Sequence, residues 1–163
     1  MKLAIAVLLA TASFAATAGL PSSDQDFVTT AGQGGLAEVA LGHLASQQGT
    51  SAAVKSFGTQ MVADHGKGNA SLKAAAEKAG ATVPGAPSED QQTAMTKLKG
   101  LKGAEFDKEY ADAMVKDHKD TIALFEKEAS KGDNGPVKTF AATTLPTLKH
   151  HLQMAEELQK QTK

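Results

Sequence analysis

The chain has 163 residues, a formal net charge of −1, 17 basic side chains that are all lysine, and no cysteine or tryptophan. Near-neutral charge without arginine leaves no basic footprint for nucleic acid and removes the side chain that forks onto phosphates and base edges. Without cysteine there is neither a disulfide framework nor a thiolate metal site, so packing must hold the fold.

The first eighteen residues read as an export signal. Met1 and Lys2 give a short positive start, Leu3 to Leu9 with Ala10 and Phe14 an apolar stretch, and Ala16-Thr17-Ala18 a small-x-small cleavage pattern. The apolar run is too short to span a bilayer, and the absence of cysteine excludes a lipobox. The expected organisation is a signal peptide over 1–18 and one mature helical domain over 19–163. That product is periplasmic or secreted, with no membrane span after cleavage. Its charge is near 16 − 18 = −2 once Lys2 is removed. Abundant alanine and lysine favour helix over strand.

Four long stretches carry helical periodicity. The first runs from about Ser23 to Gln48, with Ser22, Ser23 or Asp24 as cap and Phe27, Ala31, Gly34, Glu38, Leu41 and Ala45 on one stripe. Gly49-Thr50-Ser51 is a turn with a new cap. The second stretch continues to about Ala79, with Val54, Phe57, Met61, His65, Gly68, Leu72 and Ala75 on its stripe, and Gly80 closes it. Ala81 to Pro87 holds two prolines and breaks the helix, and Ser88-Glu89-Asp90 caps a short one. The third long helix begins near Gly103 and reaches about Ser130, with Phe106, Tyr110, Met114, His118, Ile122, Phe125 and Ala129 aligned. Gly132 to Gly135 is a turn. The last helix carries Val137, Phe140, Thr144, Leu148, His151, Ala155 and Leu158, with Pro146 inside it and expected to kink it.

Short turns make two antiparallel hairpins, and the long connection between them can cross the length of the bundle. The expected fold is all-α, a ferritin-like four-helix bundle of two antiparallel helical hairpins whose crossover carries a short extra helix and sets the third long helix parallel to the second. Met61-Val62-Ala63-Asp64-His65 recurs as Met114-Val115-Lys116-Asp117-His118, an offset of 118 − 65 = 53, which suggests a repeat on two parallel helices.

Each long helix places one ionisable residue where its stripe asks for a core side chain: Glu38, His65, His118 and His151. Counting from the turns leaves axial mismatches of only ~5 Å for the His118/His151 pair and ~7 Å for Glu38/His65, so the four are expected to converge near mid-bundle. A buried carboxylate needs cationic or metallic company. Three imidazoles and a carboxylate make a competent set for a divalent ion, with nothing to select among zinc, copper and iron. Asp64 and Asp117, each preceding a stripe histidine, are placed to orient a ring on a neighbouring helix, and Tyr110 is a further polar group nearby. The plainer alternative is a metal-free structural or protein-interaction bundle, with hydrogen-bonded core histidines and a Glu38–histidine ion pair. His43 and His150 fall off the stripes and are expected to face solvent. Met61 and Met114 read as core filler.

Taken together, Asp26-Phe27-Val28, Glu38, Val54 to Phe57, Met61 to His65, Asn69, Phe106 to Tyr110, Met114 to His118 and Leu145 to His151 resemble a bacterial ferritin-like family of unknown function whose members are often labelled outer membrane proteins. The resemblance implies a four-helix bundle of the cell envelope. No alternating ten-residue strands for a barrel accompany it. The Glu-x-x-His pair of di-iron bundles is missing, since Val62 and Leu148 stand three residues before His65 and His151. No phosphate loop, nucleophile elbow or acid–base couple is present, so no catalytic residue is identified and the reading leans away from an enzyme. Protein partners and a homo-oligomeric state are left open.

Overall fold

The computed structural model describes residues 19–163, and the signal peptide expected over 1–18 lies outside them. Five helices follow in order: α1 (Ser22–Gln48), α2 (Ala52–Ala79), α3 (Glu89–Gly100), α4 (Gly103–Lys131) and α5 (Gly135–Gln161). No strand occurs among the described residues.

Local chemistry explains most of the boundaries. Ser51 accepts a hydrogen bond from the Val54 amide at 3.1 Å and Asn134 accepts one from the Val137 amide at 3.2 Å, each satisfying an orphan donor of a first turn. Ser88 and Gln91 close a reciprocal capping box at the start of α3. Gly80 ends α2 at φ 72°, a left-handed conformation free of strain only without a Cβ. Pro146 is exposed, and α5 continues past it.

The start of α1 departs from expectation. Neither Ser22, Ser23 nor Asp24 caps it; the N-cap is Pro21, with no side-chain hydrogen bond. Asp24 instead turns inward, fully buried, and accepts from the backbone amides of Asp133 and Asn134 at 3.2 and 2.6 Å, in the turn between α4 and α5. Asp107, in the first turns of α4, accepts from the amides of Thr50 and Ser51, both at 2.8 Å, in the turn between α1 and α2. Each hairpin therefore holds the other's turn with a carboxylate.

This exchange reveals the internal repeat that orders the fold. Asp24 to Asp107, Thr50 to Asp133 and Ser51 to Asn134 all share one offset, 107 − 24 = 83. At the same offset Asp24-Gln25-Asp26-Phe27 matches Asp107-Lys108-Glu109-Tyr110, and Val54-Lys55-Ser56-Phe57 matches Val137-Lys138-Thr139-Phe140. Gly49 and Gly132, which end α1 and α4, share φ/ψ of −52°/142° and −60°/144°. The hairpin α1–α2 is thus the counterpart of α4–α5. The shorter match at offset 53 relates α2 to α4 and does not describe the hairpins.

Two apolar clusters show the helix directions. One joins Leu41 and Ala45 of α1, Val54 to Met61 of α2, Phe106 to Val115 of α4, and Ala155 and Leu158 of α5. The other joins Phe27 and Val28, Leu72 to Ala76, Ile122 and Phe125, and Val137 to Leu148. The end of α1, the starts of α2 and α4, and the end of α5 therefore share one end of the bundle. Within each hairpin the helices are antiparallel, and α2 runs parallel to α4, as the crossover length requires. All five phenylalanines of the described residues are buried, each contributing roughly 1.5–3 kcal/mol of transfer free energy. The crossover packs along α1: Val83 and Pro84 cover Gly32, and the Gln48 side chain donates to the carbonyl of Leu101 while accepting from Lys102 Nζ at 2.9 Å.

Candidate metal centre

On every long helix the same residue interrupts the passage from one apolar cluster to the other: Glu38 on α1, His65 on α2, His118 on α4 and His151 on α5. A single polar layer therefore crosses the bundle between its two apolar halves. The side-chain heights that turn-counting leaves several ångströms apart are level.

The three imidazoles meet. Ring centroids are 5.3 Å apart for His65–His151, 5.5 Å for His118–His151 and 5.6 Å for His65–His118. One ring nitrogen of each lies within 4.8 Å of one from each of the others. His118 and His151 are 1% exposed. His43 and His150 are exposed, and Met61 and Met114 are fully buried in the core.

Hydrogen bonds fix how two of the rings are presented. His118 Nδ1 donates to the Met114 carbonyl at 2.9 Å, one turn back on its own helix, which leaves Nε2 as the acceptor nitrogen. His151 Nε2 donates to Asp64 Oδ2 at 3.0 Å, across from α5 to α2, which leaves Nδ1 free. Those two nitrogens and His65 Nε2 are buried and have no hydrogen-bond partner from the protein.

Burial sets the protonation states. It holds His65 down to about 3, with further repulsion from His118 and His151, and holds His118 down to about 4. His151 is lowered as well, burial outweighing the Asp64 hydrogen bond and charge. Burial pushes Asp64 upward, but the hydrogen bonds from Gln60 and His151 outweigh it and leave the carboxyl below its ordinary value. All three imidazoles are neutral at pH 7, the state in which a ring nitrogen can bind a metal.

Glu38 lies beside the triangle and is not one of the mutually close group. Its Oε1 is 3.9 Å from His118 Nδ1, beyond hydrogen-bond reach, and that nitrogen's proton is already given to Met114. Burial first, and then the charge of Asp117, push the Glu38 carboxyl up to about 8. With His118 neutral and Glu38 protonated at pH 7, the contact is not an ion pair. Glu38 Oε2 has no protein partner. Tyr110 is fully buried, its hydroxyl also lacks a partner, and burial followed by the nearby Glu38 raises it well above the ordinary phenol value. Asp117, placed by sequence to orient a ring, makes no hydrogen bond to a histidine; it stands beside Glu38 and is raised chiefly by burial.

Of six buried side-chain atoms without a hydrogen-bond partner among the described residues, four belong to this layer: Glu38 Oε2, His65 Nε2, His118 Nε2 and His151 Nδ1; a fifth, Tyr110 Oη, lies in the adjoining apolar cluster close enough to feel the Glu38 charge. Sequence reasoning finds these residues but misses the Met114 carbonyl, since any helix offers one. It also misses the cleft of about 310 Å3 that reaches Glu38 and His65 between α1 and α4.

No curated protein matches the sequence. The crystal structure of a DUF305 fragment from Deinococcus radiodurans is similar at a TM-score of 0.75 and 13% identity, covering 88% of this chain and 99% of that one, a likeness of fold alone. The helical bundle carrying this layer matches, over residues 9–158, the family described as Domain of unknown function (DUF4142), and the chain belongs to that family.

Proposed function

We propose that this protein is an exported helical bundle that binds one divalent transition-metal ion through His65, His118 and His151, with Glu38 beside the ion and Asp64 and the Met114 carbonyl orienting two of the rings. One observation carries the reading: three imidazoles from three helices bring ring nitrogens within 4.8 Å of one another, and each ring keeps one buried nitrogen without a protein partner. Leaving such groups unsatisfied costs about 1–3 kcal/mol each, and one ion relieves all three. Metal–nitrogen bonds of 2.0–2.1 Å set tetrahedral ligand atoms about 3.4 Å apart, so a triangle whose edges reach 4.8 Å closes by at most about 4.8 − 3.4 = 1.4 Å as the rings turn. Nitrogen donors suit zinc, copper or iron, with Glu38, 3.9 Å from the His118 ring, the nearest carboxyl to a fourth ligand. The Asp64–His151 pair is the arrangement by which a carboxylate steers a metal-binding ring. Export rests on the residues 1–18 alone.

Elemental analysis of untagged protein isolated from the cell envelope tests the metal. About one zinc, copper or iron per chain is expected, lost in the His65→Ala/His118→Ala variant. A metal-free protein whose melting temperature is unmoved by all three ions would refute the reading and favour the structural bundle. N-terminal sequencing checks export, with Gly19 as the expected first residue.

A further inference from the structure

The cleft beside the histidines enters the bundle between α1 and α4. Its walls include Gly34 and Glu38 of α1, Asp117, Asp120 and Thr121 of α4, and His65 at the inner end. Asp120 is 68% exposed at the outside, Asp117 is half-buried, and Glu38 is 7% exposed, so carboxyl groups line the path from solvent to the layer. At about 310 Å3 it has room for on the order of ten waters, enough for a hydrated cation. Glu38 Oε2 and His65 Nε2, both without protein partners, lie on residues at its inner end.

The internal repeat explains why the space exists. At the offset of 83, Glu38 corresponds to Thr121, His65 to Leu148, His118 to Gly35 and His151 to Gly68. All four counterparts line the cleft. One half of the layer carries the histidines, and the matching half, with glycine in two of the four places, lines the cleft; Asn69 packs beside Gly35, whereas the space beside Gly68 is open. On the side of α2 and α5, Asp64 lies against His151.

We infer that this cleft is the port through which the cation reaches and leaves the three-histidine centre, so that the ion is exchangeable cargo and not a locked structural element. The inference rests on the proposed metal site and concerns its kinetics. No covalent or redox step is involved: solvent ligands leave the cation as imidazole nitrogens replace them. Asp120, bridged to Lys116 at 2.7 Å, and Asp117 offer carboxyl oxygens along the outer path, and Glu38, protonated at pH 7, offers a further one at the inner end that a cation can claim by displacing its proton.

The test blocks the port without touching a metal ligand. A Cβ at Gly34 meets nothing closer than Gln91 Nε2 at 3.8 Å, and a Cβ at Gly68 meets nothing within 4 Å, so at both positions a side chain can start from the backbone without a clash at its first carbon. Zn2+ uptake by chelator-stripped protein, and its release into excess chelator, are followed by stopped flow in the wild type, Gly34→Leu and Gly68→Leu. The expected result is uptake and release both slowed about tenfold or more, with affinity changed less than about twofold, since a blocked passage acts on both rates alike. Unchanged rates in a folded variant that binds zinc normally would overturn the port while leaving the metal site standing. A change confined to release would also overturn it, because that marks a changed site. If the wild type takes up no stoichiometric Zn2+, Cu2+ or Fe2+, the metal reading fails and the port falls with it.

Discussion

Asp64 Oδ2 accepts a hydrogen bond from His151 Nε2 at 3.0 Å, so a carboxylate on α2, 22% exposed, decides which nitrogen of a fully buried ring on α5 is left free. The same oxygen accepts from Gln60 Nε2 at 2.6 Å, which anchors the carboxylate in turn. Orientation of the His151 ring thus begins at a partly exposed side chain on the neighbouring helix.

Asp64→Ala is expected to weaken metal affinity by about 10–100-fold while leaving roughly one ion bound per chain at saturation. Competition against a chelator of known affinity measures the first, and elemental analysis the second. An unchanged affinity would show that His151 keeps its orientation without the carboxylate.

The pH dependence of the metal-stripped protein follows from opposing titrations. The folded histidines resist protonation to about 3 for His65 and about 4 for His118, whereas unfolded histidine takes a proton near the ordinary value of 6.5. The unfolded state then binds more protons, and stability falls as pH drops below about 6.5. Glu38 works the other way: its stabilising protonated state is fully favoured below 4.5 and lost as pH rises through about 8. Urea melts across pH 4–9 are expected to peak near neutrality, with Glu38→Gln flattening the alkaline limb. An alkaline limb unchanged by that substitution would place its cause elsewhere.

The two carboxylates that hold the opposite turns predict a second stability effect. Asp24→Ala and Asp107→Ala are each expected to cost about 1.5–3 kcal/mol, since each buried carboxylate is the acceptor for two turn amides. Because the sites lie at opposite ends of the bundle, the double variant should show the sum within about 0.5 kcal/mol. Equilibrium denaturation of the four proteins measures it.

Glycine positions separate by what a side chain meets. A Cβ at Gly42 would sit 2.7 Å from the Gly58 carbonyl oxygen, and one at Gly58 would sit 2.7 Å from the Gly42 carbonyl, so α1 and α2 touch backbone to backbone there. Gly42→Ala is expected to destabilise by roughly 1–3 kcal/mol. Gly66→Ala, on an exposed helical surface with nothing within 4 Å, should stabilise by about 0.5–1 kcal/mol. Thermal melts of the two variants should move in opposite directions.

The long helices, their turns and the crossover are legible in the sequence because apolar spacing, caps and prolines are local signals. So are the four polar residues, since each breaks its own stripe. Their common height is not: counting along a helix carries several ångströms of error by mid-bundle, and only the packed clusters on either side fix it. Glu38 shows a different limit. Its stripe position places it in the layer, but its distance from the histidine nitrogens depends on side-chain geometry that spacing does not encode. Asp24 is readable as a helix cap by type, and its partner proves to be a turn more than a hundred residues away. The clue to that pairing, Asp-x-acid-aromatic at residues 24–27 and 107–110, is visible in the chain but acquires meaning only when the two turns are seen exchanged.

That exchange makes neither hairpin a free-standing unit. Cut in the crossover between Ala81 and Pro87, the two halves would each carry a turn whose amides find their acceptor only on the other fragment. Mixed together, they should reassemble by complementation; kept apart, neither should hold its hairpin.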